Sequence, residues 1–276
     1  MRSEDLRALL DEARARGSTI ALVPTMGSLH DGHLSLVDRA AELSDLVVLS
    51  IFVNPLQFGP GEDLDRYPRD LDRDVRLAGE RGVDVVFAPS IEAMYPDGAP
   101  SVTVAPGALA DRLCGAARPG HFEGVLTVVA KLLHIARPDV AVFGRKDYQQ
   151  GVLVRRMVFD LSIPVRVELA PLVREPDGLA LSSRNALLSS GDRGSALSLS
   201  RGLFAARDAF RAGQRDGPAL EELVRREIEA APALRLQYAE LVRPDTLERA
   251  ASARARDVLA VAAFAGDTRL IDNVEL

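Results

Sequence analysis

Two histidines, His30 and His33, stand three positions apart in a segment that also contains Gly27 and Gly32. The segment follows an apolar run and leads into a stretch with helical spacing, and open α/β sheets bind ligands where a strand ends in this way. Imidazole N–H groups and the first N–H groups of a helix both suit phosphate oxygens. We therefore expect this turn to bind phosphate, with both histidines neutralising negative charge.

The histidine pair also has less specific interpretations. An arbitrary His-x-x-His is most often a pair of capping or surface histidines, and the glycine-containing turn is what favours a functional role here. A catalytic zinc site is weaker, since no third ligand lies nearby in the sequence. No Gly-x-Gly-x-x-Gly follows the run, so the segment is not a dinucleotide fingerprint.

A second group of polar side chains follows the next apolar run. Asn54 and Gln57 belong to the segment Asn-Pro-Leu-Gln-Phe, and their amides could bind the hydroxyl and carboxylate of a small acid. Because this segment follows a predicted strand, we expect it at the same edge of the sheet as the histidines. An isolated Asn-Pro is more often only a turn, and that alternative stays open.

A third candidate site is Gly144-Arg145-Lys146-Asp147, which again follows a predicted strand and opens a helix. Only Lys131 and Lys146 are lysines among the 34 basic residues. Lysine and arginine are not interchangeable at a phosphate, so a retained lysine favours phosphate binding. The alternative is a solvated turn.

The fourth candidate is the polar segment Leu181-Ser182-Ser183-Arg184-Asn185. Two hydroxyls and a guanidinium can clamp a triphosphate, whereas composition alone favours a polar linker.

Short apolar runs alternate with amphipathic stretches in the first half, which is the pattern of a parallel sheet with flanking helices. The predicted fold class is α/β, with a Rossmann-like sheet and a smaller C-terminal α+β domain. Strands are predicted at 19–23, 46–53, 83–88, 139–143 and 165–172, and helices at 3–16, 33–43, 64–81, 125–136 and 146–160.

The pattern changes after Val173. Helices are predicted at 196–212 and 218–230, and strands at 236–242, 258–265 and 268–274. We predict one domain at 1–172 and a smaller C-terminal domain at 173–276.

Composition excludes several classes of protein. The net charge of -6 gives no general attraction to nucleic acid or to an anionic membrane surface. No apolar stretch reaches the length of a spanning helix, and the start carries Glu4 and Asp5 where a signal peptide would be basic, so we expect a cytoplasmic protein. The one cysteine, Cys114, excludes an intrachain disulfide.

Taken together, these segments resemble the pantothenate synthetases, members of the nucleotidyltransferase superfamily with the His-x-Gly-His signature. The resemblance covers nearly the whole chain. The histidine motif identifies only the superfamily, whereas the whole set of motifs in this order is specific to the synthetases. The matching segments are 24–27, 30–33, 52–58, 67–69, 121–125, 143–150 and 181–185.

The resemblance implies ATP-dependent joining of pantoate to β-alanine through pantoyl adenylate, giving pantothenate, AMP and pyrophosphate. It implies that Gln57 contacts both acids, that Asn54 lines the pantoate pocket and that Gln150 contacts pantoate. The catalytic residues would be His33, His30, Lys146, Arg184, Ser182 and Ser183. The residues that bind ATP would be Met26, Gly27, Ser28, Leu29, His30, Asp31, Gly32, His33, Gly144, Arg145, Lys146, Asp147, Val173, Leu181, Ser182, Ser183 and Arg184.

The resemblance also implies that the domain at 1–172 binds nucleotide and pantoate and that the domain at 173–276 forms a lid over the ATP site. Asp74 is the candidate ligand for a magnesium ion that offsets phosphate charge, and the enzyme is expected to be a homodimer. Many members of the family have glutamate where this chain has Arg145. Two rival functions are another transferase of the superfamily, which would not need Asn54, Gln57 and Gln150, and an ATP sensor that binds without turnover.

Overall fold

A computed structural model describes residues 2–276. The chain divides into two compact units, each considered by itself. The first unit contains 2–107, Arg118–Arg145 and Leu153–Pro171, and the second contains Ala108–Ala117, Lys146–Val152 and Leu172–Leu276. The sequence predicts one domain boundary, between 172 and 173. Two segments of the second unit, Ala108–Ala117 and Lys146–Val152, lie before that boundary.

The first unit is built on a five-stranded parallel sheet, which confirms the predicted α/β class. Its strands are β1 (Ile20–Thr25), β2 (Leu46–Ile51), β3 (Val85–Phe87), β4 (Val140–Gly144) and β5 (Arg166–Ala170). Their order across the sheet is β3-β2-β1-β4-β5. This is the Rossmann-like order, in which the chain runs outward from β1 in one direction and from β4 in the other. The carboxyl ends of β1 and β4 therefore flank a topological switch point, where such sheets bind ligands.

Helices connect the parallel strands, because such strands need crossover connections. The helices of the described chain, including two that follow the parallel sheet, are α1 (Ser3–Ala15), α2 (Asp31–Ala41), α3 (Leu71–Glu80), α4 (Ile91–Met94), α5 (Leu113–Ala117), α6 (His121–Ala136), α7 (Tyr148–Asp160), α8 (Ser190–Arg211) and α9 (Gly217–Glu229). Val37 and Ala40 of α2 pack with Val23, Leu49 and Val142 of the sheet. Helix α6 is buried along most of its length, as its apolar spacing predicts.

One predicted helix is much shorter than expected. The sequence predicts a helix at 64–81, but α3 begins at Leu71, and turns occupy the residues before it. Pro68 explains the difference, because proline lacks an N–H group and disfavours helical backbone at the preceding residue. The Asp70 carboxylate then caps α3 by accepting the Arg73 N–H at 3.0 Å.

The second unit carries a three-stranded antiparallel sheet in the order β6-β7-β8, comprising β6 (Leu234–Val242), β7 (Val258–Ala265) and β8 (Thr268–Glu275). Leu203 of α8 and Val224 of α9 pack with Leu241 and Val261 of this sheet. The central strand β7 is buried along almost its whole length, because it pairs on both edges and has helices on one face. All eight predicted strands form, with ends shifted by at most two residues.

A buried glutamine ties the two early segments of the second unit together. The Gln149 side chain accepts the Cys114 N–H at 2.9 Å and donates to the carbonyls of Leu109 and Arg112 at 3.0 and 2.8 Å. Within residues 2–276, no helix combines the length and the apolar character needed to cross a bilayer.

Candidate active site

The turn after β1 has an unusual backbone that a buried carboxylate stabilises. Gly27 and Ser28 have positive φ angles of 80° and 51°. The Asp74 carboxylate accepts the N–H of Ser28 at 2.7 Å and that of Leu29 at 2.8 Å. A side chain at Gly27 would place its Cβ 2.8 Å from Asp74 Oδ2, so this turn requires glycine.

These contacts bear on the predicted magnesium role of Asp74. Each carboxylate oxygen accepts a backbone N–H, and only 1% of Asp74 is exposed. This environment fits a residue that holds the turn in place better than it fits a metal ligand. Among the described residues, no group of three or more His, Cys, Asp or Glu side chains could hold a metal ion. The magnesium role of Asp74 stays a prediction.

The two histidines lie side by side where α2 begins. His30 precedes the helix and caps it, since its Nδ1 accepts the Gly32 N–H at 3.1 Å. An imidazole that accepts at Nδ1 carries its proton on Nε2, which makes Nε2 a donor. The rings of His30 and His33 stack with centroids 4.0 Å apart. Capping thus accounts for Nδ1 of His30, and its Nε2 is a donor of the kind that can bind an anion.

Asn54 is buried and its hydrogen bonds are made within the chain. Its Oδ1 accepts from the Tyr95 hydroxyl at 2.9 Å and the Leu56 N–H at 3.3 Å, and its Nδ2 donates to Gln57 Oε1 at 3.2 Å and the Gly124 carbonyl at 3.1 Å. An asparagine amide has two donor hydrogens and an oxygen that accepts twice, so these four bonds fill its capacity. The contacts fit a residue that orients Gln57, and direct contact of Asn54 with pantoate stays a prediction.

Two neighbours make this arrangement possible. Burial raises the pKa of Tyr95 to about 12, so its hydroxyl stays a donor to Asn54 throughout the neutral range. Gly124 brings α6 against the turn at 55–57, because a Cβ at this position would overlap the carbonyl of Leu56. Gln57 Nε2 also contacts Met26 Sδ at 3.0 Å, which joins the amide segment to the turn after β1.

A charged network holds the backbone of Gln57 through residues that lie far from it in the sequence. Arg118 Nε donates to Glu62 Oε1 at 2.7 Å, and Arg118 Nη2 donates to the Gln57 carbonyl at 3.2 Å. His121 Nδ1 lies 2.8 Å from the same carbonyl, and its Nε2 lies 3.0 Å from Arg118 Nη1. Since a carbonyl can only accept and a guanidinium can only donate, the His121 proton is on Nδ1.

The same network sets the ionisation of Glu62. Burial acts to raise the pKa of Glu62, but hydrogen bonds and charge from Arg118 outweigh burial and lower it. Glu62 lies in an acidic, turn-rich stretch of the chain. Its partner Arg118 is 56 residues away in the sequence, so local spacing does not reveal this ion pair.

A cavity of about 310 Å³ opens at the carboxyl ends of β1, β2 and β3. Its walls are mainly apolar, and Met26, Gly27 and Asp74 are the predicted site residues among those that line it.

In the second unit, Lys146 lies in a short 3-10 turn, Arg145–Asp147, directly before α7. The Asn273 side-chain amide donates to the Lys146 carbonyl at 3.0 Å. Gln150 lies in the first turn of α7 and is half-buried, next to the buried Gln149.

The serine and arginine segment follows a small hairpin in the same unit. The Leu181 N–H donates to the Val173 carbonyl at 3.1 Å, which brings together two residues predicted to bind ATP. Ser182 then caps the 3-10 turn Ser183–Leu187 by accepting the Arg184 N–H at 3.2 Å.

Asn185 fixes this turn to the hairpin. Its Nδ2 donates to Glu175 Oε1 at 2.7 Å and to the Ala180 carbonyl at 3.0 Å. The hydrogen bond from Arg193 lowers the pKa of Glu175 and keeps this carboxylate ionised. The segment is therefore held by a defined set of bonds and is not a solvated linker.

The parallel sheet, with glycine- and histidine-containing turns where its strands end, places the chain in the class of α/β proteins that bind nucleotides at such ends. Comparison with known proteins then identifies the family. The model of the pantoate-beta-alanine ligase family matches residues 1–275, so the chain belongs to that family.

Curated relatives and solved structures agree with this assignment. Pantothenate synthetase 1 of Bradyrhizobium diazoefficiens is 54% identical over 99% of this chain and 95% of its own length. The crystal structure of pantothenate synthetase from Thermus thermophilus has a TM-score of 0.94 at 48% identity, covering 100% of this chain and 98% of that one. The ligase from Francisella tularensis, solved with β,γ-ATP and β-alanine, has a TM-score of 0.79 at 34% identity and covers 99% and 95%. The chain is thus a ligase of the family whose reaction is the ATP-dependent joining of pantoate to β-alanine.

Proposed function

We propose that this chain joins pantoate to β-alanine in two steps, at the candidate residues described above. In the first, a pantoate carboxylate oxygen attacks the α-phosphorus of ATP, and the bond to the departing pyrophosphate breaks. In the second, the neutral amine of β-alanine attacks the acyl carbon of pantoyl adenylate. The bond to AMP breaks and the nitrogen loses a proton, leaving the amide of pantothenate.

The histidine pair carries the proposal. Asp74 holds the turn after β1, and His30 caps α2. The two stacked imidazoles therefore lie at the start of this helix, where anions are favoured. His30 and His33 would donate to phosphate oxygens whose charge grows as pyrophosphate leaves. No protein nucleophile is needed, and catalysis comes from positioning and charge neutralisation.

The remaining residues take the roles that the resemblance assigns to them. Lys146, Ser182, Ser183 and Arg184 bind phosphates, while Gly144, Arg145, Asp147, Val173 and Leu181 contact the rest of ATP together with the turn at 26–33. Gln57 and Gln150 bind the acids. Asn54 and Tyr95 would act through Gln57 by fixing its side chain, a role that follows from the contacts of Asn54.

Magnesium enters the proposal as the counter-ion of ATP, where it would withdraw charge from the phosphate oxygens. Magnesium usually keeps several waters and binds through substrate phosphates with one or two carboxylates. Asp74 does not fit this role well, because both its oxygens accept backbone N–H groups. We derive no catalytic step from the metal.

We also propose that the enzyme is a cytoplasmic homodimer. The cytoplasm supplies ATP, and the buried, unpaired Cys114 suits a reducing compartment. Sedimentation equilibrium of the purified protein would test the dimer.

The test of function is pantoate-dependent exchange of labelled pyrophosphate into ATP without β-alanine. We expect exchange in the wild type and a loss of about 10²- to 10³-fold in His33→Ala, because one donor to the developing charge is removed. His134→Ala is the matched control, since this exposed histidine lies toward the end of α6 and should not affect exchange. A folded His33→Ala variant with normal exchange would remove the role of His33, and a folded wild type without any would contradict the adenylate step.

A further inference from the structure

Two consecutive residues on β8, Asp272 and Asn273, contact two separate segments of the second unit. Successive side chains of a strand point to opposite faces, so these two reach different neighbours. Asp272 binds Arg174 at the start of the hairpin that leads to Ser182, and Asn273 binds the carbonyl of Lys146.

The contact between Asp272 and Arg174 is a buried, two-pronged ion pair. Arg174 Nη1 and Nη2 lie 2.7 and 2.8 Å from the two carboxylate oxygens, and the Asp272 side chain is only 2% exposed. Arg174 Nη1 also donates to the Gly178 carbonyl at 3.0 Å, and Nη2 donates to the Asn273 carbonyl at 3.3 Å. One guanidinium thus joins both arms of the hairpin to β8.

The contact between Asn273 and Lys146 fixes the backbone of the 3-10 turn that carries the lysine. Burial raises the pKa of Asp272, and the charges of Arg174 and Lys146 act against that rise.

We propose that Asp272 and Asn273 are positioning residues for ATP, which keep Lys146 and the segment 182–184 in fixed register through one strand. Neither side chain has to touch the nucleotide. The inference rests on the proposed function, in which Lys146, Ser182, Ser183 and Arg184 bind the phosphates.

The test compares the kinetics of Asn273→Ala, Asp272→Asn and Asp257→Asn in the full-length enzyme. Asp257 is the matched control, because it is also a buried aspartate of this unit paired with an arginine, Arg243, and it contacts neither Lys146 nor the hairpin. We expect the KM for ATP to rise about fivefold in Asn273→Ala and about tenfold in Asp272→Asn, as expected for one lost neutral and one lost charged interaction. The KM for pantoate should change by less than about twofold in both variants.

A purely structural role for Asp272 would lower the melting temperature of Asp272→Asn and Asp257→Asn alike and leave both with the same KM for ATP. That result would overturn the proposal, as would an unchanged KM for ATP in Asn273→Ala. If Asp272→Asn does not fold, Asn273→Ala decides, since it removes no charge. If the wild type shows no pyrophosphate exchange, the proposed function fails, and the Kd for ATP of the same variants still tests the positioning role.

Discussion

At the scale of single residues, the buried Asn54 makes its hydrogen bonds within the protein. The sequence places an amide beside Gln57, and both amides suit a small acid. The structure fills the hydrogen bonds of Asn54 with Tyr95, Leu56, Gln57 and Gly124. Tyr95 and Gly124 lie far away in sequence, so no local pattern could predict these hydrogen bonds.

Gly124→Ala should damage the amide segment from a distance. The added methyl group overlaps the Leu56 carbonyl, so α6 or the turn at 55–57 must move, and Gln57 moves with the turn. We expect kcat/KM for pantoate to fall at least about tenfold, since small displacements of positioning groups cost this much or more. Steady-state kinetics with pantoate as the varied substrate would measure it.

Gly79→Ala is the control for Gly124→Ala. Gly79 also lies in a helix, α3, but a Cβ there meets nothing within 4 Å. Alanine should stabilise this helix by up to about 1 kcal/mol and leave the kinetics unchanged. Equal activity in the two variants would show that close approach of α6 is not needed.

At the scale of elements, a network of charged side chains connects the loop after β2 with the start of α6. Glu62 binds Arg118, and Arg118 and His121 both hold the carbonyl of Gln57. Residues 58–70 form turns and irregular chain. The ion pair of Glu62 with Arg118 attaches this segment to the start of α6.

Glu62→Gln should destabilise the protein in a pH-dependent way. The folded state lowers the pKa of Glu62 below the ordinary value of 4.5, so its ionised form stabilises the fold at neutral pH. That stability is fully present above the unfolded-state pKa and is lost as pH falls through the lower folded-state pKa. We expect the variant to lose about 2 kcal/mol of unfolding free energy at pH 7, and the gap to the wild type to narrow as pH falls below 4.5 and through the lowered folded-state pKa. Urea denaturation at pH 7, 5, 4 and 3 would measure it.

The control for this series is Glu222→Gln. Glu222 pairs with Arg226 on the surface of α9, with both side chains largely exposed, and such pairs contribute about 1 kcal/mol or less. A gap between Glu62→Gln and the wild type that stayed constant from pH 7 to pH 3 would contradict the role of the ionised Glu62.

The elements could largely be predicted because their patterns are local. Apolar runs placed all eight strands, and helical spacing placed α6. The helix predicted at 64–81 begins only at Leu71, because Pro68 prevents the preceding residues from continuing the helix. The short helices α4 and α5 were missed, since four or five residues are too few to show a period.

At the scale of the whole molecule, the scarcity of lysine predicts which lysine has a specific function. The chain uses arginine almost everywhere, with Lys131 and Lys146 as its two lysines among 34 basic residues. Lys131 lies with its ammonium 5.4 Å from the centre of the Tyr95 ring, a contact that arginine also makes. Only Lys146 has a proposed function that needs a compact ammonium.

Lys146→Arg should therefore lose much more activity than Lys131→Arg. A planar guanidinium cannot take the position of an ammonium beside a phosphate without moving, so we expect pantoate-dependent exchange to fall about 10²-fold in Lys146→Arg. Lys131→Arg should stay close to the wild type. Comparable exchange rates in the two variants would mean that Lys146 supplies charge alone.

The carboxylate of Asp74 has one more consequence. Successive backbone N–H groups in a turn with positive φ form a concave site for an anion, and here the protein provides that anion itself. The protein therefore orders the turn before the histidines by itself, so a nucleotide bound at this turn would lose little binding energy in shaping it. The amides of Ser28 and Leu29 should exchange with solvent deuterium at similar slow rates with and without nucleotide, and the enzyme would meet its substrate with this part of the site preorganised.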